Sequence, residues 1–556
     1  MQSILILGAG LMQRPAIEAA KKLGYRTVVV DANPNAVCVP LADRFEPIDL
    51  KDKTALVALA DELNAGEETL AAVFTAGTDF SANVAFVSEH CGLKSHACEA
   101  CLNASDKLRM RACFAKAGVP SPSFCEVTKE KSIDYIDGTD SEKSNLCASA
   151  KSADNKKLWT TFPKVIKPVD NMGGRGCRKV RDEHEFAEAV EEAVRNSRSG
   201  RAIFEDFMDG PEFSIDAIVW NGTLTITGFA DRHIYYPPYF IETGHTMPSA
   251  FDDKIRLELI ATFALGIQSL GLTHGVAKAD IKYTAEGPMV GEIAARLSGG
   301  YMSGWTYPYA SDCNLTEQAL LVALGKTPEY LVQNRVPLPW QPHPSIADKP
   351  QPFALYDLPC KRVSAERAWI SIPGKIAAVM GLDAAKKVAF VRDVLPRASA
   401  GDTVSFPRNN VQKCGNIIAV APTREQAEKA AHSAIQCITL RLEPHNSATD
   451  AFLRGETEPT EQGFPPSAFP QALAAYQKNP CSKTEWIPNG SAITTLVPPA
   501  VQSFLDVESD WNHGSLRTIL KRFDELGAMQ YAVEADIFWR AVLRGSIQGA
   551  LYVADS

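Results

Sequence analysis

Phe162-Pro-Lys-Val-Ile-Lys167-Pro168 and, one residue on, Asp170-Asn-Met-Gly-Gly-Arg-Gly176 are the stretch on which the reading of this chain turns. The first part reads as a strand that delivers a lysine at its end. The second combines glycines with an arginine, so its backbone amides are suited to closing over a polyphosphate. An ordinary hairpin loop accounts for the glycines equally well, and the surrounding sequence has to decide. Downstream, Ala202-Ile-Phe-Glu205-Asp206-Phe207-Met208 reads as a strand breaking at a short hinge. Asp209-Gly-Pro-Glu212-Phe-Ser-Ile-Asp216 resumes it, with Phe213, Ile215 and Ala217 alternating. Further on, Ala277-Lys-Ala-Asp280-Ile-Lys and Val290-Gly-Glu292-Ile-Ala-Ala-Arg296-Leu-Ser-Gly-Gly300 flank a turn at Glu286-Gly-Pro288. That pattern predicts two acids facing each other across a hairpin. Mg²⁺ asks for such oxygen ligands, with phosphate and water completing the octahedron. The alternative is a pair of exposed strand carboxylates; the arginine and Ser-Gly-Gly just beyond count against it.

The amino terminus has a different rhythm. An apolar run, Ile4 to Leu7, ends at Gly8-Ala-Gly10; a helical stretch, Arg14 to Leu23, follows; Thr27 to Val30 ends in Asp31; Ala71 to Phe74 reads as a later strand. This is βαβ patterning and predicts a parallel sheet. Gly8 to Asp31 has part of a dinucleotide fingerprint, but Gln13 stands where the third glycine belongs. A nicotinamide oxidoreductase is therefore a rival reading. Glu89-His-Cys91 and His96-Ala-Cys98-Glu-Ala-Cys101 offer candidate zinc ligands, although two small buried thiols on a helical turn explain Cys98 and Cys101 as well. Helices are expected near 105–118, 252–271 and 423–440, and an amphipathic one from Ser515 to Leu526. The segment 129–155 is polar and reads as a surface insertion.

Composition narrows the class. At about 150 residues per domain, 556 residues suggest three to four domains. A net charge of −9 argues against a general nucleic-acid binder, though not against a local phosphate site. No apolar run approaches the ~20 residues of a membrane span, and the amino terminus lacks a basic leader region. Thirteen scattered cysteines, an odd number, favour free thiols and a reducing compartment, so the cytoplasm is expected.

The order Asp106-Lys107, Lys167-Pro168, glycine flap, Glu205, Gly-Pro-Glu212, Asp280 and Glu292…Arg296 resembles that of the ATP-grasp ligase superfamily. The resemblance runs from about Met1 to Leu440. Within the superfamily the chain looks most like the carboxylate–amine ligases of the L-amino-acid ligase type, through Phe229-Ala-Asp-Arg232, Glu242-Thr-Gly-His245-Thr-Met-Pro248 and Glu292 to Gly300. It implies an α/β and α+β multidomain fold. The parts would be a Rossmann-like domain at 1–104, a two-lobed ATP-grasp core at 105–335, a small strand-rich domain at 353–445 and a helical accessory tail at 460–556. It implies that Lys107 and Lys167 bind ATP phosphates and that Gly173, Gly174 and Gly176 form the flap. Glu205, Asp206, Phe207 and Met208 would be the adenine hinge, with Glu212 on the ribose. Asp280 and Glu292 would hold magnesium, with manganese as the alternative ion. Arg232 and Arg296 would neutralise the γ-phosphate and a substrate carboxylate. Two positions depart from the pattern: Asp280 stands where Glu is commoner, and Ala294 where many members have a metal-touching Asn.

The activity implied is ATP-dependent ligation of a small-molecule carboxylate to an amine through an acyl phosphate. Other ATP-grasp chemistry, such as carboxylation or a purine-pathway ligation, and a non-catalytic ATP-binding regulator are the alternatives. No nucleic-acid or membrane partner is expected; a homodimer is one assembly the tail would serve.

Overall fold

Strand Gln2–Leu7 is buried on both faces, which explains why its sequence is an apolar run and not an alternation. Ile4, Ile6 and Val29 pack on Ala16, Ile17 and Ala20 of helix Arg14–Lys22. Leu5, Leu7, Val28 and Val30 pack on Leu56, Leu59 and Leu63 of helix Lys53–Ala65. The sheet is parallel throughout, in the order Arg44–Glu46, Arg26–Val30, Gln2–Leu7, Thr69–Phe74. The computed structural model describes residues 2–66, 69–128, 161–456, 463–527 and 531–556. The insertion expected at 129–155 lies outside the described residues. The chain forms two compact units, one of residues 1–233 and 245–364, the other of 234–244 and 365–556.

The first unit continues with two largely antiparallel sheets, the larger joined in parallel by Ala354–Asp357. The smaller has the order Phe124–Val127, Ala202–Asp206, Lys164–Pro168, Arg178–Val180. Helix Phe186–Asn196 covers it, setting Phe186, Ala189 and Val190 against Ile166, Val180 and Phe204. The larger runs Gly287–Ala294, Gly275–Thr284, Glu212–Trp220, Thr223–Tyr235. Helix Asp253–Leu270 lies against it, with Leu259, Phe263 and Ile267 packed on Phe213, Ile215, Ala279 and Ile293. Helix Lys107–Ala117 contributes Met110 and Phe114 to that same core. Its first turn is closed by the Asp106 carboxylate, which accepts from the Leu108 and Arg109 amides. The Lys107 amide donates to Val169 O at 2.9 Å, so the helix start is fixed to the end of the strand that carries Lys167.

The second unit contains the paired strands Gly415–Ala421 and Val391–Pro396, the parts of strands Ile241–Met247 and Val363–Trp369 that fall within it, and a trio Thr403–Val404, Gly374–Met380, Thr439–Leu442. The helix expected to reach Leu440 ends at Cys437. The chain turns extended at Ile438, and Thr439–Leu442 pairs with Gly374–Met380, so sheet pairing wins over helix propensity for this β-branched pair of residues. A single apolar core in this unit draws on both sides of the boundary expected between 353–445 and 460–556. Trp369, Ile417 and Ile435 share it with Phe469, Leu520, Phe538 and Trp539. The amphipathic helix Leu516–Glu525 buries Leu516, Ile519, Leu520 and Phe523 in it. Asn512 clamps Ile370 through both backbone groups, each at 3.0 Å. The tail is thus part of the packing of the second unit. Among the described residues no helix is long and apolar enough to cross a membrane.

Gly228 marks a close approach in the larger sheet of the first unit. It sits where the pairing of Thr223–Tyr235 with Glu212–Trp220 shifts register, and the ring of Tyr307 fills the space a side chain would need. A Cβ there would stand 2.4 Å from that ring. Gly228→Ala is expected to lower unfolding stability by about 1–3 kcal/mol through overpacking, read from the urea midpoint.

Candidate active site

Hairpin Gly275–Thr284/Gly287–Ala294 sets Asp280 directly opposite Glu292. The two-residue period of the strand puts Lys278 and Lys282 on the same face as Asp280. The Lys278 ammonium contacts Asp280, and Arg232 Nη1 lies 2.8 Å from Asp280 Oδ1. Arg232 also pairs with Glu212, which has Lys282 Nζ at 3.5 Å from its other oxygen. Lys107 projects from the helix start to within 3.3 Å of Glu292 Oε2 and donates to Asn171 O at 2.9 Å. Lys167 Nζ sits 2.5 Å from Glu205 Oε2. Arg296, buried, donates to Leu297 O at 3.1 Å and has Nε 3.9 Å from Asp79 Oδ1.

The protonation states follow from these contacts. Burial alone would raise the Glu292 carboxyl, but Lys107, Lys278, Arg296 and Lys167 hold it far below the usual range. Burial pulls the Lys107 ammonium down, and Glu292 with Asp79 more than offsets this, leaving it raised. Glu205 is likewise lowered, by Arg111 and Lys167 acting against burial. Asp216, fully buried, behaves differently: desolvation pushes it up to about 6 although Ser298 donates two hydrogen bonds to it. Glu292 and Glu205 are thus held ionised beside a protonated Lys107.

The glycine loop is the turn of an antiparallel hairpin between Lys164–Pro168 and Arg178–Val180. Gly173, Gly174 and Gly176 all take left-handed φ values, 69°, 73° and 66°, which only glycine adopts readily. The hinge residues are held from several sides. The Asp206 amide donates to Ser123 O, and its carboxylate pairs with Lys164. Lys179 Nζ stands 3.8 Å from the centre of the Phe207 ring, and Met208 O accepts from Lys282 at 3.2 Å. Sequence reasoning passed over Lys278, Lys282 and Arg111. Strand parity was a signal for the two lysines; nothing local singles out Arg111.

Residues 160–304 match the ATP-grasp domain family, 1–73 the ribonucleotide synthetase preATP-grasp domain and 368–443 the L-amino acid ligase C-terminal domain 2. The chain carries an ATP-grasp domain with an L-amino acid ligase C-terminal domain. It is 23% identical over 453 residues to uncharacterized protein y4rH of Sinorhizobium fredii, covering 80% of this chain and 84% of that one. It is 23% identical over 348 residues to mouse carnosine synthase 1, covering 59% of this chain but 40% of that relative. The solved structure of an L-amino acid ligase from Bacillus licheniformis shares the fold at a TM-score of 0.62 and 18% identity, over 80% of this chain and 99% of that one.

Two other motifs of this ATP-grasp chain have local uses. In the Gly8–Gly10 turn, the Ala9 amide donates to Asp31 Oδ2 at 2.8 Å, and Asp31 Oδ1 accepts from the Asn33 amide at 2.9 Å. The turn is met by the chain's own acid, and Gln13 ties it to the next loop by donating to Thr78 Oγ1 and accepting from the Ala76 amide. That arrangement does not favour the nicotinamide reading. Among the described residues no group of three or more His, Cys, Asp or Glu side chains is placed to hold a metal ion. His96 is a core histidine: Nδ1 accepts from the Thr273 and His274 amides at 3.1 Å, and Nε2 lies 3.0 Å from Val276 O. Cys101 is buried, and desolvation pushes its thiol up to about 12.

Burial lowers the His96 pKa to about 4, against 6.5 for the free side chain. The unfolded chain then binds the extra proton first as pH falls. The stability that neutral His96 contributes is complete above pH 6.5 and is lost between pH 6.5 and 4, by roughly 3 kcal/mol in all. His96→Gln is expected to make the pH dependence of the urea midpoint shallower in that window.

Proposed function

We propose that this chain is an ATP-dependent carboxylate–amine ligase that activates a small-molecule carboxylate as an acyl phosphate and joins it to an amine. The observation that carries the reading is Asp280 opposite Glu292, inside a ring formed by Lys107, Lys167, Lys278, Lys282, Arg232 and Arg296. The L-amino acid ligase C-terminal domain and the relatives named L-amino acid ligase and carnosine synthase support the choice of acceptor class.

The acids fit a hard divalent cation. Asp280 Oδ1 is buried and makes no hydrogen bond of good geometry, its neighbour being the Arg232 guanidinium at 2.8 Å, which a cation would displace toward phosphate; two carboxylates leave the remaining positions to phosphate oxygens and water. Magnesium held there would neutralise phosphate charge and orient the γ-phosphoryl group. The cations of the ring would exchange their carboxylate partners for phosphates. Lys107 and Lys167 bind the phosphate chain, and the Gly173, Gly174 and Gly176 loop covers it. The segment Glu205–Met208 receives the adenine, and Glu212 the ribose. Arg232 and Arg296 neutralise the γ-phosphate and the substrate carboxylate. The carboxylate attacks, ADP leaves, and the amine then displaces phosphate from the acyl phosphate. Phosphoryl transfer needs positioning and charge neutralisation above all, and a closed loop keeps water from the acyl phosphate.

Phosphate release from ATP and magnesium, across pairs of amino acids and other carboxylates with mass detection of products, tests the reading. Release that needs one carboxylate and one amine, with water lost between them in the product, supports it. Release with bicarbonate, or no release with any pair while ATP still binds, counts against it. Lys167→Ala is expected to lower turnover by about 10²–10³-fold, the size of one preorganised electrostatic contact. Chelation of the divalent metal should stop release altogether.

A further inference from the structure

We infer that Arg111 is a positioning residue that keeps the charge of Lys167 available to ATP by neutralising Glu205 from behind. The inference rests on the ATP site proposed above.

Arg111 lies on the helix Lys107–Ala117 and is fully buried. Its Nε donates to Glu205 Oε1 at 2.7 Å, and its Nη2 donates to Gly291 O at 2.6 Å. Glu205, also buried, presents its other oxygen to Lys167 at 2.5 Å. The three side chains form one row: Arg111 sealed in the interior, Glu205 between, and Lys167, whose side chain keeps 13% of its surface, on the open side.

Charge accounting gives the row its meaning. Lys167 and Glu205 alone sum to zero, and a neutralised lysine offers a phosphate only a dipole. Adding Arg111 brings the row to +1, and the only member exposed to anything is Lys167. A buried arginine is costly to desolvate, and an apolar side chain of similar size would fill the space at lower cost, as Met110 and Phe114 do on the same helix. Its second contact, Gly291 O, immediately precedes Glu292, so the same guanidinium fixes Glu205 on one sheet relative to the carboxylate hairpin on the other.

Calorimetric titration of the full-length chain with ATP and magnesium, and separately with adenosine, tests this. Arg111→Met should weaken ATP about tenfold, the size of one charge-assisted contact, while adenosine affinity changes less than about twofold. Adding Glu205→Gln to Arg111→Met removes the anion that Lys167 would otherwise collapse onto, and should restore most of the ATP affinity. Glu205→Gln alone leaves both cations; because Glu205 also belongs to the adenine hinge, adenosine is the reference, and ATP relative to adenosine should bind at least as tightly as in the parent, which keeps the test usable if Arg111→Met does not fold. The charge account is overturned if ATP and adenosine weaken together in Arg111→Met, if the double variant gains nothing over Arg111→Met in ATP relative to adenosine, or if Glu205→Gln alone weakens ATP relative to adenosine. A parent chain that binds no ATP sinks the ligase reading as well; a parent that binds ATP without rescue in the double variant sinks only the role of Arg111.

Discussion

Charge that is buried must be paired, and in the first unit the structure around Asp280 and Glu292 answers to that constraint. Glu292 is held ionised by Lys107, Lys278, Arg296 and Lys167, and Lys107 stays protonated because Glu292 and Asp79 outweigh its burial. These partners come from separate places: a helix start, two sheets and the loop after the last parallel strand. Displacing any one would strand a charge in a poorly solvated place. The pairs therefore hold the helix, the hairpin and the Thr75–Asp79 loop in register with one another, and the same cations are the groups a polyphosphate would recruit.

Backbone geometry supplies the precision that the charges need. The amide of Lys107 is bonded to Val169 O, so Lys107 and Lys167 are fixed to one another through main chain. The Asp280–Glu292 pairing is a matter of hairpin register, and a slip of one residue would turn one carboxylate to the opposite face. The glycine loop sits at the end of the strand carrying Lys167 and takes backbone angles closed to other residues. The second unit depends less on charge and more on apolar packing, with the last helix, Ala535–Asp555, contributing Phe538, Trp539, Leu543 and Leu551 to its core.

Much of this was legible from local pattern. The parallel sheet followed from βαβ patterning, and the helices at 107–117, 253–270 and 516–525 from caps and periodicity. The facing acids followed from two strands about a short turn. Some things were not legible. Helix 424–437 stops short of Leu440 because a distant strand offers Thr439–Leu442 a partner. The tail belongs to the packing of the second unit because residues more than a hundred positions apart share one core, as Trp369 and Trp539 do. Asp31 closes the partial dinucleotide fingerprint, yet its oxygens are taken by the Ala9 and Asn33 amides.

The residue types and their order were readable along the chain: two lysines at strand and helix ends, a glycine turn, two acids either side of a hairpin and two arginines nearby. Such information is local, because strand parity, capping and turn chemistry act over a few residues. The tertiary structure alone decided which charges meet. Arg111 and Glu205 lie 94 residues apart, and Arg111 and Gly291 180 apart. No local pattern encodes those encounters; they arise because a buried ion gains stability only where the fold brings it a partner.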